Sequence, residues 1–281
     1  MKILVTGSKG MIGSRLVESL LAAGHFVVGI DVVCTETIED NYCQYRVDLA
    51  DKEKLQKIIG SGKIDRIIHL AGLAHTEGES NLTWERYEYV NIKCAKNVFE
   101  IAEDRPVLFI STVDVFGFYD GRNPVDESSP IKPVTNYGKS KALAEVECKK
   151  VKHFSIFRFS PVYTDEIKRD IQKRYYLKYP NIAYRIGTGS EYEVLDVKKA
   201  VKAMADWCEV EPKNDVTIIK DEKNMWTPDC IKVEKENGRA RFVLKFPKKL
   251  IHLGYAILKG IFGENEKVYL LNKAVYPLRS K

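Results

Sequence analysis

The feature that most constrains the fold is a short apolar run that leads directly into a glycine-rich turn. Residues 2–6 (KILVT) precede GSKGMIG at 7–13, and SRLVESLLAAG follows with apolar residues at helical spacing. Glycines let a backbone approach a pyrophosphate closely, and a helix N-terminus offers free N–H groups. This order predicts the phosphate-binding element of a dinucleotide fold, although a tight turn without a ligand has the same residues.

The next predicted strand, HFVVGID, ends in Asp31, eighteen residues beyond Gly13. An acidic side chain at this place accepts hydrogen bonds from an adenosine ribose and repels a 2′-phosphate, so it favours NAD over NADP. A loop aspartate that only follows a strand is the alternative. Lys9, inside the glycine turn, is a cation that would tolerate a phosphate.

Strands and helices alternate through the rest of the N-terminal half. We predict strands in CQYRVDLAD, in DRIIHLAG (65–72) and in PVLFISTVDVF (106–116), with helices at 51–59 and in TWERYEYVNIKCAKNVFEIAE. DRIIHLAG is a near-continuous apolar run of the kind that is buried in a parallel sheet. The pattern predicts an α/β fold, a doubly wound parallel sheet of the Rossmann type with a small C-terminal substrate lobe.

Tyr137 and Lys141 stand four residues apart in NYGKSKALAE (136–145). If this stretch is helical, the two side chains lie on one face. A free tyrosine has a pKa of about 10, and a nearby positive charge favours its phenolate form. The pair is therefore a candidate proton-transfer device, with an ordinary surface Tyr and Lys as the alternative.

Composition excludes several classes of protein. No run of 18 apolar residues occurs, so we expect no transmembrane helix, and the start of the chain does not resemble a signal peptide. The six cysteines are scattered, without a C-x-x-C pair or a histidine at ligand spacing. We expect reduced thiols in a cytoplasmic protein, and neither a disulfide framework nor a metal site.

The positive charge is concentrated near the C-terminus. Residues 230–281 carry twelve Lys/Arg and four Glu, a net charge of +8, whereas the whole chain carries +6. Residues 1–229 are therefore slightly acidic, at −2. The basic character belongs to the tail and does not indicate nucleic-acid binding.

Several motifs together carry a family resemblance. They are TGSKGMIG, Asp31, VDLAD, HLAG, the Asn91 of YVNIKCAKN, ISTVDVFG, NYGKSK and FRFSPVY. They occur in one order and cover residues 2 to about 163. With them the chain resembles the extended short-chain dehydrogenases/reductases, the group that contains NAD-dependent nucleotide-sugar epimerases, dehydratases and reductases.

The resemblance implies catalytic roles for three residues. Tyr137 would be the acid/base at a sugar hydroxyl, and Lys141 would hold the nicotinamide ribose and favour the Tyr137 phenolate. Thr112, twenty-five residues before Tyr137, would hydrogen-bond the same sugar oxygen, or else only pack in its strand. Asn91 would fix the backbone of the central helix and not touch substrate.

The resemblance also implies a cofactor-binding set and a substrate set. Besides Tyr137 and Lys141, the NAD-binding residues would be Gly7, Gly10, Met11, Ile12 and Gly13 at the pyrophosphate, Asp31 at the ribose, Asp48 and Leu49 at the adenine, Leu70, Ala71 and Gly72 toward the nicotinamide, and Ser160, Pro161 and Val162 near its carboxamide. The substrate contacts would be His75, Asp114 and Arg174. For His75, a structural or surface role is an equal alternative.

One departure from the family narrows the chemistry. Nucleotide-sugar dehydratases of this family follow the Thr with Asp-Glu, whereas this chain has Val113 and Asp114. With one carboxylate missing, dehydration lacks its acid/base pair. The resemblance then favours a 4-epimerase in surface-polysaccharide precursor synthesis. The alternatives are a dehydrogenase or keto-sugar reductase on a nucleotide sugar and a non-catalytic dinucleotide-sensing protein.

We predict two regions. Residues 1–163 would form the NAD-binding domain, with a strand and helix returning from about 183–220, and residues 164–182 and 221–281 would form the substrate lobe and basic tail. The lobe contains a basic, aromatic cluster that would either grip a diphosphate and stack a base or be a solvated helix: Lys168, Arg169, Lys173, Arg174, Tyr175 and Tyr176. The resemblance also implies a homodimer through the helices that contain residues 84–103 and 134–150.

The tail contains an amphipathic basic helix in FPKKLIHLGYAILKGIFG (246–263). Its apolar stripe consists of Phe246, Leu250, Leu253, Ile257 and Ile261, and its nearby cations are Lys245, Lys248, Lys249 and Lys259. We expect this stripe to dock on its own lobe or on a second subunit. Peripheral contact with an anionic membrane is the alternative.

Overall fold

The computed structural model describes residues 1–61, 63–74, 82–166 and 169–281. The strands are β1 (Lys2–Thr6), β2 (Phe26–Asp31), β3 (Thr37–Ile38), β4 (Tyr42–Arg46), β5 (Arg66–His69), β6 (Val107–Thr112), β7 (Phe154–Phe159), β8 (Val162–Tyr163), β9 (Tyr176–Leu177), β10 (Ile182–Ile186), β11 (Glu191–Tyr192), β12 (Leu195–Asp196), β13 (Asp215–Ile219), β14 (Met225–Trp226) and β15 (Phe242–Phe246). The helices are α1 (Gly13–Ala22), α2 (Lys52–Ser61), α3 (Trp84–Tyr87), α4 (Cys94–Ala102), α5 (Asn136–Cys148), α6 (Arg169–Gln172), α7 (Val197–Cys208), α8 (Thr227–Glu236), α9 (Lys248–Phe262) and α10 (Glu266–Val275). A π-helical stretch, Glu88–Lys93, joins α3 to α4, and a 3₁₀ turn, Val113–Phe116, follows β6.

The largest sheet in the described part of the chain has eight strands in the order β13-β7-β6-β5-β1-β2-β4-β3. All neighbouring strands in it are parallel except β3 and β4. From β1 the chain proceeds outward to β2 and β4 on one side and to β5, β6 and β7 on the other. This is the predicted doubly wound sheet. Ligands bind at the carboxyl ends of such strands, where the chain changes direction.

The sequence forms this sheet because its strands are apolar on both faces. In β6 the first five residues are buried, and in β5 three of four are buried. Helices cover such strands on both sides, and α1 does so with the stripe of Leu16, Val17 and Leu20. The resulting core joins residues from β1, β2, β5, β6 and β7 with the inner faces of α2, α4 and α5.

The described chain divides into two compact units, with boundaries that differ from the predicted ones. The first unit contains residues 1–113, 136–159 and 197–219, and the second contains 114–135, 160–196 and 220–281. The prediction had placed 114–135, 160–163 and the strand that returns from about 183 in the first region. That strand, β10, instead pairs with β15 in the second unit. Residues 114–135 and 160–163 belong to the second because Tyr119 hydrogen-bonds Asn272 of α10 and because β8 pairs with β12.

The second unit has its own small sheets and its own core. Its strands form β15-β10-β9, β11-β14 and β12-β8. Two residues of the predicted basic, aromatic cluster, Tyr175 and Tyr176, are 0% and 4% exposed and belong to the core with Ile231. The prediction that these two rings stack on a base is therefore wrong. The reason is local: α6 is a single turn, and the following residues enter strand β9 instead of continuing a helix.

The helix predicted in the tail forms as α9, but its orientation differs from the favoured prediction. Leu250, Leu253, Ile257 and Ile261 are 52–67% exposed. The opposite face, with Tyr255, packs against α10. The prediction that this stripe docks on its own lobe is therefore wrong. Among the described residues, no helix is both long and apolar enough to cross a membrane.

Candidate active site

The turn between β1 and α1 requires glycine for steric reasons. Gly7 has a φ of +70°, and a Cβ there would lie 2.7 Å from the Ala71 nitrogen. A Cβ on Gly13 would lie 2.0 Å from the Gly7 carbonyl oxygen, to which the Gly10 N–H donates at 3.1 Å. The other two predicted turn residues, Met11 and Ile12, are partly exposed. Among the described residues no side chain caps α1, so the turn keeps bare backbone at the helix N-terminus.

Asp31 lies at the end of β2 beside this turn. Its carboxylate accepts a hydrogen bond from the Lys9 N–H and another from the Val33 N–H, both at 3.0 Å. The Lys9 ammonium lies 5.4 Å from the centre of the Tyr42 ring. Asp31 therefore fastens the glycine turn to the carboxyl end of β2, which is where a ribose-binding carboxylate is expected.

Asp48 and Leu49 follow β4 at the same edge of the sheet. The Asp48 carboxylate accepts hydrogen bonds from the Ala50 N–H at 2.9 Å and from the Tyr89 hydroxyl at 3.0 Å. Leu49 is buried, and its carbonyl accepts a hydrogen bond from Asn97 at 2.9 Å. These bonds shape the turn after β4. Contact with adenine stays a prediction.

Leu70, Ala71 and Gly72 continue from β5 alongside the glycine turn. The Leu70 N–H donates to the Thr6 carbonyl at 3.2 Å, and the Ala71 N–H donates to the Thr6 hydroxyl at 3.3 Å. These bonds hold the segment next to the end of β1. The structure therefore brings the predicted pyrophosphate and nicotinamide segments together on adjacent strands.

Asn91 holds the next part of this segment. Its carbonyl oxygen accepts the Leu73 N–H at 2.6 Å, and its amide donates to the Leu73 carbonyl and to the Ser140 hydroxyl, both at 2.9 Å. A structural role was predicted for Asn91, but the backbone that it fixes is the one after β5. Ser140 in turn donates to the Tyr137 carbonyl at 2.8 Å, so Asn91 also anchors α5.

Tyr137 and Lys141 both lie on α5, as the predicted helix requires. They are one turn apart on one face. The Tyr137 ring is partly buried, with its centroid 6.4 Å from that of Tyr87. The α5 helix packs against β6 and β7, whose carboxyl ends lie at the edge described above.

Lys141 occupies an apolar, nearly closed position. It is 5% exposed, and its Nζ lies 4.1 Å from the centre of the Phe109 ring. A Cβ on Gly72 would lie 3.7 Å from the same Nζ, so Lys141 reaches the backbone that follows β5. Burial lowers the pKa of Lys141 to about 7, against an opposing effect of the nearby Glu145. The charge of Lys141 therefore responds to its surroundings near neutral pH.

Glu145, one turn beyond Lys141, is part of a buried ion pair. Glu145 and Arg158 are each 1% exposed. Arg158 donates to the two carboxylate oxygens from Nε at 3.1 Å and from Nη2 at 2.8 Å, and Ser111 Oγ donates at 2.6 Å. The bidentate geometry joins α5, β6 and β7 one helical turn beyond Lys141. Sequence reasoning missed this network, although the spacing of four residues from Lys141 was a usable signal.

His69, at the end of β5, is a second buried group that the sequence did not single out. It is fully buried, its Nδ1 lies 2.8 Å from the Thr6 hydroxyl, and its ring stacks on Phe109 with centroids 5.8 Å apart. Burial, with a smaller effect of Lys141, lowers the pKa of His69 to about 3. His69 is therefore a neutral imidazole beside Lys141.

Thr112 is the last residue of β6 and pairs in parallel register with Phe159 of β7. Its side chain is partly exposed at the carboxyl end of the strand. Both interpretations from sequence are compatible with this position, so contact of Thr112 with a sugar oxygen stays a prediction.

The predicted residues of the second unit are positioned as follows. Ser160 is buried, and its Oγ finds no hydrogen-bond partner among the described residues. The Pro161 carbonyl accepts a hydrogen bond from the Leu195 N–H at 3.0 Å, and Val162 begins β8. Their contact with a nicotinamide stays a prediction.

Asp114 is held within the second unit by three donors. It accepts hydrogen bonds from Thr135 at 2.5 Å, from Tyr269 at 2.9 Å and from Lys273. Burial raises the pKa of Asp114, but Lys273 and these hydrogen bonds lower it by more. The pKa of Asp114 is therefore below its usual value. Both carboxylate oxygens are engaged. Its predicted contact with substrate is untested.

Arg174 and His75 complete the predicted substrate set. The Arg174 guanidinium lies 4.5 Å from the centre of the Tyr192 ring, in the second unit. His75 lies outside the described residues. Neither contact with substrate is tested.

Comparison with known proteins gives a family match over most of the chain. The model of the NAD dependent epimerase/dehydratase family matches residues 3–211. A UDP-glucose 4-epimerase of Neisseria meningitidis serogroup B is 34% identical over 161 residues, which cover 51% of this chain and 46% of the relative. The chain thus spans about half the length of the curated relatives that it matches.

Solved structures agree on the fold. A UDP-glucuronic acid 4-epimerase from Bacillus cereus, in complex with UDP-glucuronic acid and NAD, has a TM-score of 0.71 at 23% identity over 88% of this chain and 86% of that one. A UDP-glucose 4-epimerase from Thermotoga maritima with UDP-glucose has a TM-score of 0.70 at 21% identity over 88% and 86%. At this level of identity, the likeness shows a shared fold.

Proposed function

Because this chain belongs to the NAD dependent epimerase/dehydratase family, we propose that it is an NAD-dependent 4-epimerase of a nucleotide sugar. The carrying observation is the position of Tyr137 and Lys141. They share one face of α5, and Lys141 reaches the backbone that follows β5 at the edge formed by the glycine turn.

The residues of the first unit fit NAD. A Cβ at Gly7 or Gly13 would clash with neighbouring backbone atoms. The turn therefore presents bare backbone N–H groups, which can bind a pyrophosphate. Asp31 would bind the adenosine ribose, and its negative charge disfavours the 2′-phosphate of NADP. When bound, NAD supplies the acceptor and donor of a hydride.

The side chains of α5 and β6 would manage the proton. Tyr137 would remove the proton from the sugar hydroxyl and later return it. Thr112 would hydrogen-bond the same oxygen, and the Lys141 ammonium would favour the Tyr137 phenolate. Inversion then requires that the oxidised sugar turn over before Tyr137 returns the proton.

The environment of Asp114 supports epimerisation over dehydration. Elimination of water needs a group that donates and accepts a proton beside the sugar. Asp114 is held as a carboxylate by Lys273, and its predecessor is Val113, which has no proton to exchange. The dehydratase reaction therefore lacks one carboxylate of its pair, and the remaining one is engaged by Lys273.

The substrate class is proposed from the relatives. Those named above act on UDP-glucose or UDP-glucuronic acid. A nucleotide sugar is an activated glycosyl donor, which is why we include a role in surface-polysaccharide precursor synthesis in this proposal.

The test is product analysis with matched variants. The purified chain is incubated with NAD and with UDP-glucose or UDP-glucuronic acid, the 4-epimers are separated, and NADH absorbance is followed. Tyr137→Phe should reduce turnover by at least about 100-fold, whereas Tyr179→Phe, at a hydroxyl on an 85% exposed residue, should not. Lys141→Met is paired with Lys139→Met, an exposed lysine of the same helix.

Two results would contradict the proposal. Steady formation of NADH without a 4-epimer would replace it by a net dehydrogenase. Full turnover in Tyr137→Phe would remove Tyr137 from the chemistry.

A further inference from the structure

An apolar surface is exposed along β15 and α9, and we call residues 241–263 the basic apolar surface. The side chains of Leu250, Leu253, Ile257 and Ile261 form one stripe of α9 and are 52–67% exposed. The preceding strand and the end of the helix add four more, with exposures of 40–67%: Phe242, Leu244, Phe246 and Phe262. Singly exposed apolar residues are ordinary, but the four apolar side chains of the α9 stripe share one helix face, and a contiguous exposed apolar face marks an interaction site.

The helix is held to its unit by its other face. Tyr255 is 7% exposed, packs with Val268 and Val275 of α10, and receives a hydrogen bond on its hydroxyl from Asn272 at 3.0 Å. This attachment leaves the more apolar face of α9 in solvent, which is the reverse of an ordinary surface helix. The attachment fixes the stripe in an outward orientation.

The charge of the surface has a single sign. Residues 241–263 contain five Lys/Arg and no Asp or Glu. Arg241, Lys245, Lys248 and Lys249 are exposed, and in the part of the chain that the structure describes, the three lysines among them make no ion pair. Lys259 is partly exposed and pairs with Glu264. Cations beside an exposed apolar stripe complement a layer that is anionic outside and apolar inside.

Two occupants are disfavoured by this charge and by the helix length. A second copy of the same surface, joined by twofold symmetry, would place like charges against each other. A fifteen-residue helix is about 22 Å long, which is shorter than the hydrocarbon core of a bilayer. The helix therefore suits a position in the plane of an interface.

We infer that the basic apolar surface attaches this protein peripherally to an anionic lipid membrane. The apolar stripe of α9 enters the boundary between headgroups and acyl chains. The lysines contact the anionic headgroups. This attachment is independent of the reaction at Tyr137.

The experiment is co-sedimentation of the full chain with vesicles. One set contains phosphatidylcholine with about one third phosphatidylserine, and the other contains phosphatidylcholine alone. We expect sedimentation with the first set only, weakened when salt rises from about 0.05 M to about 0.5 M. Replacement of Lys245 and Lys249 by Glu should weaken binding by about fivefold per lysine or more.

The apolar contribution is tested with a second pair of variants. Leu253→Ser with Ile257→Ser should reduce binding at least about tenfold, because two exposed apolar side chains are lost from the stripe. The matched controls are Ile38→Ser, which is 77% exposed in the first unit, and Lys57→Glu with Lys213→Glu, which should leave binding unchanged. Far-UV circular dichroism confirms that each variant is folded.

The inference is overturned by either of two results. One is that the folded chain does not sediment with anionic vesicles. The other is that light scattering shows a dimer that Leu253→Ser with Ile257→Ser dissociates, without any vesicle binding, which would assign the stripe to a second copy.

Discussion

Replacement of Glu145 by Gln tests whether the buried ion pair supports the active-site helix. The substitution keeps the size of the side chain but leaves the Arg158 guanidinium, at 1% exposure, without an opposite charge. It also weakens the two hydrogen bonds from Arg158 and the one from Ser111. Removal of one partner from a buried ion pair costs about 3–5 kcal/mol. We therefore expect the free energy of unfolding to fall by this amount.

The assay is urea denaturation followed by circular dichroism. If the free energy of unfolding falls by about 3 kcal/mol per molar urea, the urea midpoint should fall by roughly 1–1.7 M. The control is Glu147→Gln on the same helix, whose carboxylate pairs with the exposed Lys150 and whose loss should cost less than about 1 kcal/mol. A double variant, Glu145→Gln with Arg158→Met, should recover most of the loss, because no unpaired charge remains.

A second readout separates the effect on Lys141 from the loss of stability. Glu145 opposes the lowering of the Lys141 pKa, so Glu145→Gln should move that pKa below about 7. The reasoning is refuted if Glu145→Gln unfolds at the wild-type midpoint, or if the double variant is no more stable than the single one.

Three further predictions concern the cofactor turn, Lys141 and the dimer. Gly13→Ala should lower NAD affinity at least about tenfold, because the new Cβ would lie 2.0 Å from a carbonyl oxygen of the turn. The control is Gly60→Ala, which has open space around it and should change the free energy of unfolding by less than about 1 kcal/mol. Affinity is measured by calorimetric titration with NAD, and stability is measured by thermal unfolding. Burial holds the pKa of Lys141 at about 7 in the folded chain against 10.5 ordinarily, so the unfolded chain binds more protons between these pH values and stability rises with pH across them. Lys141→Met should remove this rise, which is about 5 kcal/mol, and an unchanged dependence of the urea midpoint on pH would contradict the prediction. If α5 forms a dimer interface, Leu143→Glu with Val146→Glu, at positions 47% and 56% exposed, should give a monomer in light scattering.

The order of elements in the first unit was predictable because it depends on local patterns. Apolar runs bounded by glycines, such as residues 2–6 before the turn, form parallel strands whose carboxyl ends meet at one edge. Residues that end strands are therefore brought together without further information. Asp31 and Thr112 occupy the predicted strand ends for this reason.

The partners of buried polar groups were not predictable, because they are far apart in sequence. Glu145 meets Ser111 across 34 residues, and Asp114 meets Lys273 across 159. The periodicity of apolar residues does not indicate such distant pairs. Their existence changes the chemistry, since one network sits under Lys141 and the other holds Asp114 as a carboxylate.

The glycine turn, the parallel sheet, the spacing of Tyr137 and Lys141 and the amphipathic pattern of the tail follow from local patterns of amino acids. The face of an amphipathic segment that becomes covered depends on the folded chain. A stripe of apolar residues indicates that a helix has two unlike faces. Which of these faces is buried depends on the elements that the rest of the chain places beside the helix. In α9 that neighbour is α10, which takes the face of Tyr255 and leaves Leu253 and Ile257 in solvent.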